Sequence, residues 1–124
     1  MGKGISAVLV LAGLAAGLAG GPATAGSDFD KAALERLFTG RTLAGTYLRG
    51  NRDYAITYAA DGTFTSSSGS RAKWWISDAA EYCREYVEGP LKGNRACFEV
   101  KKEGDGIALY FKGRKTATGT FAAK

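Results

Sequence analysis

Few side chains in this sequence are suited to covalent chemistry. Cys83 and Cys97 are its only cysteines, and they bracket the stretch Arg84–Ala96 rather than the two-residue gap of a redox Cys-x-x-Cys site. The chain contains no histidine. That removes the commonest general base, the histidine-activated nucleophiles and the histidine-based metal sites. Ser70-Arg71-Ala72-Lys73 matches the Ser-x-x-Lys spacing of penicillin-binding enzymes, and Lys115-Thr116-Ala117 approximates their Lys-Thr-Gly. SRAKWWIS reads as running into a strand, however, where positions i and i+3 face opposite ways. Asp78, Glu81 and Glu85 cluster near Cys83 and in principle suit glycoside chemistry, but surface charge explains them more simply. No catalytic residue, metal ligand or cofactor is therefore assigned, and a small hydrolase ranks behind the binding functions considered below.

Binding chemistry is better represented. Trp75, next to Arg71 and Lys73, is placed to stack on a sugar or hold a partner surface, with Arg49 and Arg52 as further contacts. The favoured reading for Trp75 is nevertheless burial beneath the N-terminal helix, which needs an apolar landing site. Tyr54, Tyr58 and Tyr82 fall on the inward parity of their strands and are candidates to line a cavity. The formal net charge of +5 favours anionic partners such as envelope polymers or acidic lipids. It disfavours an inhibitor of basic lysozyme-like enzymes.

The N-terminus points to export. Lys3 precedes an apolar run from Ile5 to Ala19, Gly20-Gly21-Pro22 breaks it, and Ala23-Thr24-Ala25 has the small-x-small form of a signal-peptidase site. The run is short for a bilayer span, which takes about 20 residues. The expectation is a signal peptide over 1–25, no transmembrane segment after cleavage, and one periplasmic or secreted domain over 26–124. Nucleic acid is then an unsuitable partner, and a Cys83–Cys97 disulfide is the expected state.

SDFDKAALERLFTG predicts an amphipathic helix over 28–38, capped by Ser27 and ended at Gly40. The rest alternates as strands. A turn at Ala60-Asp61-Gly62 sets Tyr58 opposite Phe64, and Gly104-Asp105 sets Val100 opposite Leu109 and Phe98 opposite Phe111. Placing Cys83 opposite Cys97 puts Glu85 against Arg95 and Tyr82 against Phe98. It also sets Glu81 against Glu99, so the ladder should bulge or end there. Adding Thr46–Arg49, the Trp74–Ile76 strand and a last strand around Phe121 gives about eight short strands. A mainly β antiparallel meander follows, as a small lipocalin-like barrel or a sandwich, with one short N-terminal helix.

GRTLAGTYLRG, YAADGTFT, KWWISDAAEYCREY, CFEV and DGIALYFKG, in that order, resemble the small secreted bacterial β-domains of unknown function. The matching positions are Gly40-Arg41-Thr42, Asp61-Gly62-Thr63, Trp74, Ile76, Cys83 and Cys97. Lys73 stands where those domains commonly carry glycine, and EGPLKG is a long insertion between the cysteines. The resemblance implies an exported β-barrel-like domain with a cystine; it assigns no activity, since none is established for those domains. The leading expectation is thus a non-enzymatic binding domain of the bacterial envelope, with an envelope protein or anionic polymer as partner. A lipocalin-like carrier of a small apolar ligand is the alternative.

Overall fold

The computed structural model describes residues 26–123; the signal peptide expected over 1–25 lies outside them. After helix α1 (Lys31–Phe38) come eight strands: β1 (Thr42–Tyr47), β2 (Arg52–Tyr58), β3 (Thr63–Ser66), β4 (Arg71–Ile76), β5 (Tyr82–Tyr86), β6 (Arg95–Glu103), β7 (Gly106–Phe111) and β8 (Arg114–Phe121). Each pairs antiparallel with the next, and β8 returns to β1, so the sheet is a closed barrel and not a sandwich. Closure leaves no open edge. It also requires close backbone approach where Gly45 faces Gly119, because a Cβ on Gly45 would collide with the Thr118 carbonyl.

The hairpin registers follow side-chain parity. Tyr58 opposes Phe64, Val100 opposes Leu109, and Cys83 opposes Cys97 with Glu85 on Arg95 and Tyr82 on Phe98. The β5–β6 ladder ends at Tyr82, sparing Glu81 and Glu99 a like-charge pairing. Glu99 instead accepts the Gly26 amide at 2.9 Å. In the β2–β3 turn Gly62 takes φ +91°, and Asp61 accepts from the amide and hydroxyl of Thr63 at 3.0 and 2.7 Å. Those bonds hold its carboxyl below the ordinary range. The Cys83–Cys97 disulfide is formed.

Three boundaries differ from expectation. The helix begins at Lys31 and its N-cap is Asp30, which accepts the Ala33 amide at 2.8 Å. Ser27 does not cap it: its hydroxyl donates to the Ala80 carbonyl and accepts from the Val100 amide. With the Asp28 amide on the Val100 carbonyl at 2.8 Å, this pins the leading segment to β6. Strand β1 begins at Thr42 and stops at Tyr47, since Gly50 and Asn51 take positive φ to turn the chain.

The helix closes one end of the barrel. Leu34 and Phe38 are fully buried, and the Phe38 ring lies 4.9–5.1 Å from those of Tyr82, Tyr58 and Phe121, and 6.1 Å from Trp74. Such offset and edge-on ring pairs add to area burial. The landing site of the helix therefore includes inward-facing Trp74, whose indole donates to the Ala59 carbonyl at 3.0 Å. Trp75, on the opposite parity, is not part of that cluster. The connections 59–62, 77–81 and 104–105 share this closed end. Connections 48–51, 67–70, 87–94 and 112–113 lie at the other, which no helix among the described residues covers.

Candidate functional site

The uncovered end opens as a cleft of about 560 Å3 lined by Tyr47, Arg49, Arg52, Arg84, Phe98 and Phe111, together with Lys112, Arg114, Lys115 and Thr116. Among the described residues, no carboxylate lines it. Strand β5 delivers its central cation. Tyr82 and Tyr86 point inward and are buried, so alternation carries Arg84, between them, inward as well. The Arg84 guanidinium sits 4.8 Å from the Tyr86 ring centre and 5.4 Å from that of Phe98. Its Nη1 donates to Asn94 Oδ1 at 2.7 Å. Stacking and tethering hold the fork in place, yet only part of its five-donor capacity is used.

Among the described residues, Arg84 has no carboxylate at ion-pair distance, and neither do Arg49, Arg52, Lys112 and Arg114. Lys115 differs, pairing with Glu103 at 2.5 Å, which raises its pKa. A phenolate does not serve as counter-ion either. Burial, helped by the adjacent Tyr86, pushes the Tyr47 phenol up to about 12 even though Arg84 and Arg52 pull it down. Tyr47 stacks on Tyr54 with ring centres 4.5 Å apart.

Below the cleft, and sharing Tyr47, Arg84, Phe98 and Thr116 with it, lies an internal chamber of about 40 Å3. Tyr54, Tyr58 and Tyr82 line it. A space this size holds a water, far short of the roughly 300 Å3 of a small-molecule cavity. The Tyr54 hydroxyl donates to the Thr118 carbonyl at 3.1 Å. The Tyr58 hydroxyl is buried without a partner that meets strict hydrogen-bond geometry, but the Tyr82 phenol lies close enough to act on it both by charge and as a weak hydrogen-bonding neighbour. Burial raises the pKa of all three phenols.

The five contact candidates from the sequence separate. Arg49 and Arg52 reach the open mouth. Arg71, Lys73 and Trp75 share the outer face of β4: Arg71 pairs with Glu88 at 3.3 Å, Lys73 stands opposite Glu85 and Thr63, and half-buried Trp75 lies under the Arg95 guanidinium at 4.8 Å. Trp75 is thus neither freely exposed nor covered by the helix. Asp78 pairs with Lys31 and Glu85 with Arg95. Arg84, Phe98 and Phe111 are mouth residues that the sequence alone did not single out. The signal for Arg84 was present, since a residue two after inward Tyr82 must also face in.

No protein-family model, no curated protein and no solved structure matches the chain.

Proposed function

We propose that this protein is an exported, non-enzymatic binding barrel of the bacterial envelope that takes a small ligand at its open mouth, and that the ligand carries an anionic group on a short apolar or aromatic body. The observation that carries this is Arg84. A half-buried guanidinium, fixed between two rings and lacking a carboxylate, is costly to desolvate unless a counter-charge arrives from outside. Its pre-set fork lowers the ordering cost of receiving one. Phe98, Phe111 and Tyr47 offer aromatic walls for the ligand body, and the 40 Å3 floor limits how far a long chain can enter. Export rests on the apolar leader and on the cystine, which favours an oxidising compartment. The resemblance to secreted bacterial β-domains points the same way.

Calorimetric titration with phenyl phosphate, phenol and inorganic phosphate tests the reading. Phenyl phosphate should bind at least about tenfold more tightly than either fragment. Arg84→Gln should weaken it on the order of 10- to 100-fold, the range of a lost hydrogen bond to a charged group. Equal binding of phenol and phenyl phosphate would remove the anion from the proposal. Undiminished binding by Arg84→Gln would remove the mouth.

A further inference from the structure

The two ends of the barrel differ in charge and in exposed apolar surface. Each closed-end connection between strands carries acid and no base: Asp61 in 59–62, Asp78 and Glu81 in 77–81, Asp105 in 104–105; of these, Asp78 is paired with Lys31 of the helix. The open end is basic, with Arg49 in its first turn, Lys92 in the β5–β6 loop, Lys112 in the last turn, and Arg52 and Arg114 at strand starts. Of the acids near that end, Glu85 and Glu88 are already paired with Arg95 and Arg71.

The large apolar side chains left exposed among the described residues are Leu48, Val87, Leu91 and Phe111, at 45%, 37%, 50% and 37% exposure. All sit in open-end connections or, for Phe111, on the last residue before one. Exposed apolar residues scattered singly are ordinary. Four confined to one rim, interleaved with cations, are not scattered.

We infer that the open rim seats on an anionic lipid surface, with Leu48, Leu91 and Phe111 entering the interface and the surrounding arginines and lysines meeting the headgroups. Apolar tips and cations address the two components of a bilayer surface together. A soluble anionic polymer would engage the cations and leave the apolar tips without a partner. The charge difference between the ends gives the barrel an electrical polarity that turns the open rim toward a negative surface as it approaches. The closed end is suited to face away.

The inference rests on the exposed tips Leu48 and Leu91, which lie outside the mouth lining, and on the charge of that end rather than on Arg84; Phe111 and the cations Arg49, Arg52, Lys112 and Arg114 are shared with the mouth. The test is flotation of the exported protein with vesicles of phosphatidylcholine alone or with 30% phosphatidylglycerol (roughly the charge density that gives polybasic segments measurable attraction). All variants are recovered in the same way, and phenyl phosphate titration runs in parallel. Binding should require phosphatidylglycerol. It should weaken about tenfold for each of Leu48→Ser and Leu91→Ser, and about fivefold for Lys112→Gln. Both apolar-tip variants should retain phenyl phosphate binding, and Arg84→Gln should lose phenyl phosphate while still floating. Absence of flotation with phosphatidylglycerol overturns the inference. So does flotation that the two Leu→Ser variants leave unchanged, which marks a contact made by charge alone.

Discussion

Replacing Phe38 with alanine should unseat the element that closes the barrel. Phe38 has no exposed surface and packs against rings from β2, β4, β5 and β8, so little around it can collapse without disturbing the sheet. Burial of this kind places the loss at the upper part of the Phe→Ala range, about 4 kcal/mol. In a domain near 100 residues, 1 kcal/mol moves Tm by roughly 4–8 °C, which predicts a fall of about 20 °C. Phe29→Ala, at a half-buried neighbouring position packed against the same core, should cost only about 1 kcal/mol. Thermal unfolding by near-ultraviolet circular dichroism measures both. A second readout separates plugging from general packing: with the plug gone, the buried Tyr58 and Tyr82 phenols should ionise nearer 10 in a 295 nm titration. A Phe38→Ala loss of about 1 kcal/mol or less, with phenol titration unchanged, would refute the claim that the helix seals this end.

Reduction of Cys83–Cys97 opens a loop with sequence separation 14, worth about 3 kcal/mol by chain entropy; a melt unmoved by dithiothreitol contradicts that. Alkaline pH should destabilise the barrel. The fully buried Tyr58 and Tyr82 have phenol pKa values raised by burial, so the unfolded chain releases its protons first. Stability should be constant below pH about 10 and fall above it by about 1.4 kcal/mol per pH unit for each phenol; denaturant midpoints that stay flat to pH 11.5 count against it. Tyr58→Phe removes a hydroxyl that has no hydrogen-bond partner and should be neutral or slightly stabilising. A loss above about 1.5 kcal/mol would show that the hydroxyl is satisfied, by the neighbouring Tyr82 phenol or by a water in the chamber. Gly45→Ala should cost several kcal/mol or block folding, because its Cβ meets the Thr118 carbonyl; wild-type stability would place the barrel seam elsewhere.

Period-two alternation makes the hairpins legible in the sequence, because one buried face fixes register. Tyr58 opposite Phe64 and Cys83 opposite Cys97 need only turn residues and parity. Trp74 inside and Trp75 outside follow from the same rule. The helix is legible as an apolar stripe but its seat is not, since no local pattern says that Phe38 enters a barrel end. Parity also implies an inward Arg84, but the usual exposure of arginine argues against it. The contrast between acidic and basic ends is carried by connections far apart in sequence. It emerges only when a closed meander sends alternate turns to opposite ends. Arg49 and Arg52 are separated from Trp75 for the same reason.

Amide chemical-shift mapping of the disulfide-bonded protein with phenyl phosphate tests the open-mouth claim most directly. Shifts should concentrate at Tyr47–Arg52, Arg84, Asn94, Phe98 and Phe111–Thr116, with Ala59–Gly62 and Gly104–Asp105 at the closed end unmoved. Shifts centred on the outer face around Trp75, or at the helix-sealed end, would contradict the claim.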